Sequence, residues 1–497
     1  MQRAPDQVVR FAPAVAIVGV SLYLDRGIEG VTVQGLVLGS LYALTALGMA
    51  LVYRSNKVLN FAQADLGMAP SVLAYGLVGV TGAEYFLGLL TGLAAAMLLG
   101  GVVEFVVVRR FARAPRLLLT VATIGVSQLL IVASLVIPDI WSSSLLSNLS
   151  IHVPIGGSFY IAPIVFTSDD VFAVVVAVVT LSVIAIAFRK SSLGVVLRAS
   201  ADAADRAASL GIPVRRLQTG VWSMSAGLSF LAIFLNATIL GLPITDTSSL
   251  SPLLVALAAL ALGGFVDLPS ITVSAVALGI FWEAISYREV SNPNLVEALI
   301  AGVVVIGILL RRRPGTRAEQ LAAATWPAVV EFKPLPAATR SRIGVRASSS
   351  ALAVAVLGFV VSVPLWLSPS VTYRASDTVA VSLVVLSIVV LTGWAGQVSL
   401  GQMSFAALGG AVAALAVNQW HLDLSLTLVL AGMAAAAASV LVGLPAIRLG
   451  GLFTAVTTLV AALAASGYLL ASAEFSWIPH VELTRTPLFG FIPLNSP

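Results

Sequence analysis

Cysteine does not occur in this chain of 497 residues. Disulfides, thiolate metal sites and cysteine nucleophiles are excluded with it. Histidine is scarce: His152, His421 and His480 lie far apart in the sequence, so no metal site is assigned. Lysine is limited to Lys57, Lys190 and Lys333, and none follows glycine in a GxxxxGK[ST] arrangement. The chain therefore has no phosphate-cradling loop of that kind. Charged residues make up 10% of the sequence, against about a quarter in ordinary soluble domains. No cluster of histidine with carboxylates suggests chemistry, and the chain reads as a protein that is not an enzyme.

What fills the sequence is apolar: 59% of it is hydrophobic, and the mean hydropathy is +1.03. Apolar runs recur at about 11–24, 33–52, 66–80, 86–108, 117–137, 171–188, 217–240, 253–264, 271–285 and 295–310. A second set covers about 351–367, 379–391, 405–417, 426–442 and 452–470. Runs this long and this free of charge belong in lipid. The expected fold is all-α, a polytopic transmembrane helical bundle. Several runs are short or broken by Gly or Pro, which is tolerated at membrane depth only within protein or along a cavity. Arg3 and Arg10 precede the first run, and no small-residue cleavage site stands before Asp25-Arg26. It reads as an uncleaved helix rather than a signal peptide.

The net charge of +5 does not point to nucleic acid, because the basic residues sit in short loops between apolar runs. Arg109, Arg110, Arg113 and Arg116 mark one loop. Arg189, Lys190, Arg198, Arg206, Arg215 and Arg216 mark a second, and the stretch 311–350 is a third. Counting crossings puts all three on one side, which the positive-inside rule makes cytoplasmic. Residues 138–160 lack Lys and Arg and fall outside. The polar, basic stretch 311–350 reads as a cytoplasmic linker between two membrane domains, 1–310 and 351–497.

The two domains look related. Residues 59–66, LNFAQADL, can be laid over 398–405, VSLGQMSF; downstream, 118–123, LLTVAT, lies over 453–458, FTAVTT. Repeated halves are common among transporters. Asn60, Gln63 and Asp65 are polar groups at the entry of an apolar helix, and Gln402 is the counterpart of Gln63. Such groups either line a translocation pathway or hydrogen-bond between helices. Gly35 and Gly39 form a small-xxx-small face for close helix packing. Glu104 and Glu283 are expected to pair locally with Arg109 and Arg288.

Three motifs carry a family resemblance: the stretch from Gly35 and Gly39 to Asn60-Phe61-Ala62-Gln63; Leu262-Gly263-Gly264-Phe265-Val266-Asp267-Leu268-Pro269; and Thr392-Gly393-Trp394-Ala395-Gly396-Gln397, running to Gln402. Together they resemble the permeases of branched-chain amino-acid ABC importers. The part before the linker is similar to the H-type subunit and the part after it to the M-type subunit. The segment 194–212 resembles the coupling segment with which such permeases dock on their ATPases. Arg198, Asp205, Leu210 and Gly211 are its candidate contacts, with Asp205-Arg206-Ala207 standing where the family usually shows Glu-Ala-Ala. An amphipathic helix ending at Gly211 fits the capping rules; the alternative is a basic interfacial helix resting on anionic lipid, and the resemblance together with the spacing favours docking.

The resemblance implies a multi-pass permease of a bacterial-type inner membrane, surrounded by lipid. It would work with ABC ATPase subunits that use ATP, a cofactor this chain does not itself bind, and with a periplasmic or lipoprotein solute-binding protein. The solute would be a branched-chain or other hydrophobic amino acid. Urea and amide importers resemble the same family, and an ion-coupled secondary transporter is the rival from another class. An M-type half would continue beyond the last run with more helices and a second coupling segment. The resemblance therefore implies that this half is truncated.

Overall fold

The computed structural model describes residues 4–25, 28–111, 114, 116–141, 150–202, 204–242, 250–265, 267–289, 293–310, 343–366, 368–394, 399–449, 452–470, 486, 487 and 489. Nine of the described helices are long and apolar enough to cross a membrane. The first half contains α1 (Ala4–Leu24), α2 (Glu29–Asn56), α3 (Asp65–Thr81), α4 (Tyr85–Val103) and α5 (Arg116–Val136). After a two-stranded hairpin, β1 (Ser158–Ile161) and β2 (Ile164–Thr167), come α6 (Ser168–Lys190), α7 (Ser192–Asp202) and α8 (Ala204–Ser209). The half closes with α9 (Val214–Leu240), α10 (Leu250–Gly263), α11 (Leu268–Arg288) and α12 (Pro293–Leu310). The second half contains α13 (Ile343–Trp366), α14 (Pro369–Gly393), α15 (Gln402–Asn418), α16 (Leu424–Leu449) and α17 (Leu452–Ala464).

The helix α2 is the axis of the first half. Its apolar window is 94% buried, because α9 and α11 pack along it. A helix apolar all round is stable only when surrounded in this way or by lipid. Its approach to α11 is made by glycine. A Cβ on Gly35 would lie 2.5 Å from the Ile280 Cα, one on Gly39 2.7 Å from the Val276 carbonyl oxygen, and one on Gly279 2.2 Å from the Gly39 Cα. Backbones this close allow no side chain between them, so the packing gain comes from direct van der Waals contact. The helix α4 approaches α3 and α9 in the same manner: its buried residues include Gly88, Gly92, Ala96 and Gly100, one every four positions. The outward faces of α4, α5 and α6 keep large apolar side chains such as Leu98, Leu129 and Val179 exposed, as lipid-facing surfaces require.

The hairpin is the one departure from all-helical structure among the described residues. Its strands pair antiparallel from Ser158↔Thr167 to Ile161↔Ile164, and its turn seats on the start of α2, where the Gly30 amide donates to the Ala162 carbonyl. Asp169, at the start of α6, holds the preceding loop through the Val153 amide and the His152 ring, each at 2.7 Å. This marks the hairpin end of the bundle. The opposite, basic end carries Arg109 and Arg110 after α4, Arg189 and Lys190 at the end of α6, and Arg215 and Arg216 at the start of α9. Glu283 and Arg288 do not pair. Arg288 donates to the Leu24 carbonyl and so ties α11 to the end of α1.

The two halves repeat one hydrogen-bonded unit. In the first, the Phe61 amide donates to Thr123 Oγ1 at 3.2 Å, the Ala62 amide to Asn60 Oδ1 at 3.1 Å, and Thr123 Oγ1 to the Thr120 carbonyl at 2.7 Å. In the second, the Leu400 amide donates to Thr458 Oγ1 at 3.1 Å, the Gly401 amide to Ser399 Oγ at 3.3 Å, and Thr458 Oγ1 to the Ala455 carbonyl at 3.0 Å. Every position corresponds under the sequence overlay. The halves touch where α12 packs on α17. Of the stretch 311–350 read as a linker, 311–342 lies outside the described residues, and α13 begins at Ile343 rather than after 350.

Candidate translocation core and docking segment

Between α2 and α3 the chain leaves helical geometry inside the bundle. Lys57 ends α2 in the left-handed conformation, and residues 58–64 are buried. Irregular backbone at this depth survives only if its polar groups find partners. Asn60 provides one, accepting the Ala62 amide in an Asx turn, and Thr123 of α5 supplies another.

Gln63 is fully buried and engages its whole amide. Nε2 donates to the Ser225 carbonyl at 3.1 Å and to Ser229 Oγ at 2.7 Å, while Oε1 accepts from Ser225 Oγ at 2.8 Å and Asn60 Nδ2 at 3.1 Å. An amide has two donors and two acceptor lone pairs, so the group is saturated. Room for it exists because residue 48 is glycine: a Cβ there would lie 2.5 Å from Nε2. Asn60 and Gln63 thus form a polar knot between the α2–α3 junction and α9. Asp65, in the first turn of α3, accepts from Ser127 Oγ at 2.5 Å, at the helix end that favours negative charge. Gln402, the first residue of α15, is half-buried. In the second half α15 packs mainly on α16, and no described helix lies against it as α9 lies against α3.

At the basic end the helix after α4 widens into a π turn at Glu104–Val108. The extra residue brings position i+5 over position i: the Arg109 amide donates to the Glu104 carbonyl at 2.9 Å. Its guanidinium then reaches the buried Glu104 carboxylate at 3.1 Å. Thr219 of α9 completes the cluster, its Oγ1 standing 2.6 Å from Glu104 Oε2 and 2.9 Å from Arg109 Nη2. This is the expected local pair, with a third member from α9 that sequence reasoning missed. Removing one partner of a buried pair leaves an uncompensated charge. Arg109→Ala should therefore lower stability by roughly 3 kcal/mol, the lower end of the usual range, since the Arg109 side chain is 30% exposed. Thermal unfolding in detergent reads this, and Glu104→Gln added to Arg109→Ala should restore most of the loss.

The described residues of the segment 194–212 include α7 and α8; residue 203 and the side chains of Arg198 and Asp205 lie outside the described residues. Leu210 is 82% exposed. Gly211 adopts φ +83°, its amide donating to the Ala208 carbonyl at 3.0 Å while the Ile212 amide reaches the Ala207 carbonyl at 3.1 Å. These two bonds are a Schellman stop. Two residues later α9 begins, and along it stand Thr219, then Trp222, whose Nε1 donates to Asn56 Oδ1 at 3.3 Å, then Ser225 and Ser229. One continuous helix thus joins the Gly211 turn to the Gln63 knot.

The family model for the branched-chain amino acid transport system permease component matches residues 31–309 and again 370–496. No curated protein and no solved structure matches the chain. The two matched stretches coincide with the two halves that repeat the threonine-tethered turn. With nine apolar helices of spanning length among the described residues, the chain is a multi-pass membrane protein of transport. It belongs to the family of branched-chain amino acid transport permeases.

Proposed function

We propose that the chain forms the membrane pathway of an ABC importer for branched-chain or other hydrophobic amino acids, in a bacterial-type inner membrane. The match to the permease family over both halves carries this reading. A solute-binding protein would deliver the solute at the hairpin end. ATPase subunits would dock at the basic end, which the charge of its loops makes cytoplasmic. The lack of a GxxxxGK[ST] loop supports hydrolysis of ATP by such separate subunits. Leu210, exposed beside the Gly211 stop, is the apolar contact offered to them, and Arg198 and Asp205 of the same segment are the charged contacts proposed from the sequence. Movement there would pass along α9, a single helix with side chains fixed at Thr219, Trp222, Ser225 and Ser229. Asn60, Gln63 and, in the second half, Gln402 would bound the pathway, the Gln63 knot being its closed inner side.

The test is reconstitution in proteoliposomes with the ATPase and binding protein that accompany it. Uptake of L-leucine or L-isoleucine should require ATP inside the docking side and the binding protein outside. Uptake that follows a sodium or proton gradient and ignores ATP would overturn the reading.

A further inference from the structure

A cavity of about 40 Å³ lies between α2, α3, α9 and the first turn of α10. Its walls are apolar, formed by Leu41, Met68, Ile233, Ala237, Leu242 and Pro252. Its polar members are few and uncharged: Tyr42, Thr45 and Asn236. Thr45 is fully buried, and its hydroxyl has no hydrogen-bond partner. Leu242 and Pro252 flank the hairpin-side ends of α9 and α10, so the cavity sits toward that face. The polar knot lies about one helical turn farther along: Thr45 stands one turn before Gly48, against which Gln63 Nε2 packs, and Ser229 is one turn before Ile233 on α9.

Size and chemistry together select the occupant. A water-sized site needs roughly 10–15 Å³ by this measure, so the space holds on the order of three or four non-hydrogen atoms. That is the bulk of an isopropyl or isobutyl group. A charged group could not be buried there without a partner, and none of the lining residues is ionised. The half-buried Asn236 offers a neutral donor and acceptor for polar groups that stay nearer the mouth.

We propose that this cavity is a solute station of the permease, seating a small branched aliphatic side chain on Leu41, Met68 and Ile233, one helical turn from the Gln63 knot. The proposal rests on the importer reading and adds the place where the solute is held. Thr45 refines it. An aliphatic group makes no use of the Thr45 hydroxyl, so the near-isosteric Thr45→Val should hold the solute as tightly or more so. A neutral amide solute would need that hydroxyl and would be lost with it.

The experiment exploits the absence of native cysteine. Leu242→Cys and, separately, Asn236→Cys introduce a single thiol at the cavity in the full chain, held in lipid nanodiscs. The rate of labelling by a membrane-impermeant thiosulfonate is measured with L-leucine, L-isoleucine, glycine, acetamide or no addition. L-Leucine and L-isoleucine should slow labelling by about tenfold when present near ten times their dissociation constant, glycine should not, and the protection should persist with Thr45→Val. Labelling unaffected by leucine, while the assembled transporter still takes leucine up, overturns the station and leaves the importer reading standing. Protection by acetamide instead of leucine, abolished by Thr45→Val, overturns the aliphatic class and with it the amino-acid reading. A thiol that stays unlabelled at both positions also overturns the proposal, since the cavity then has no access from solvent.

Discussion

Gly279→Ala and Gly39→Leu should each abolish most of the folded protein, with a loss in yield of monodisperse material rather than a change in solute preference. The physical cause is backbone proximity. A methyl on residue 279 would sit 2.2 Å from the Gly39 Cα and 2.5 Å from the Gly39 nitrogen, so even alanine forces α2 and α11 apart. Overpacking in a close-packed interior costs roughly 1–3 kcal/mol and occasionally more. Here the neighbour is backbone, which cannot rotate away, so the upper part of that range applies, and leucine at residue 39 adds four carbons to the same contact. The damage would spread, because α2 also carries Gly48 against the Gln63 amide. Size-exclusion profiles and thermal unfolding after extraction measure the effect. Gly220→Ala is the control: it lies in α9 with nothing within 4 Å of a new Cβ, and should be neutral or gain up to about 1 kcal/mol from helix propensity. Normal amounts of folded Gly39→Leu protein with altered selectivity would contradict the packing role.

Gly35 and Gly39 were legible because small-xxx-small spacing is a local pattern, but their partner Gly279 was not, since spacing on one helix says nothing of which helix approaches it. The α4 ladder of Gly88, Gly92, Ala96 and Gly100 carries the same four-residue spacing within its apolar run. The repeat was visible as two short overlays of small and apolar residues. What gives it physical meaning is Thr123 and Thr458 accepting from corresponding amides, a long-range relation outside the reach of local pattern. The hairpin at 158–167 was missed because its β-branched and aromatic residues flank Ala162-Pro163 beside a long apolar helix, where hydropathy dominates the signal. Ser225 and Ser229 stand at i and i+4 in α9, a polar stripe that could have named the face turned to Gln63. Gln63 itself was legible as a costly buried amide; whether such a group binds solute or helix is decided by its neighbours, and the neighbours come from α9, over 160 positions away.

Gly211→Pro should abolish binding of the ATPase subunit while leaving the fold of the membrane helices intact. Proline holds φ near −65° and has no amide hydrogen, whereas residue 211 sits at φ +83° and donates to the Ala208 carbonyl. Both requirements of the Schellman stop fail together, so the exposed turn ahead of α9 changes shape while α9 stays held by its buried face. No atom lies within 4 Å of a Cβ at this position, so the effect is one of backbone conformation and not of collision. Gly211→Asn separates the two, because asparagine tolerates the left-handed region and keeps the amide; it should retain near-normal docking. Gly211→Ala falls between, with a conformational cost of about 1 kcal/mol. Leu210→Ser should weaken docking through loss of exposed apolar area without altering the turn. Thermal stability in detergent should change little in all four, since residues 208–211 are exposed, and that separates a failed surface from a failed fold. The measurement is co-purification with the ATPase, followed by ATP hydrolysis stimulated by the loaded binding protein. Undiminished co-purification of Gly211→Pro would remove the segment 194–212 from the docking surface. It would also sever the proposed mechanical link, in which movement at this turn passes along α9 to Ser225, Ser229 and the Gln63 knot.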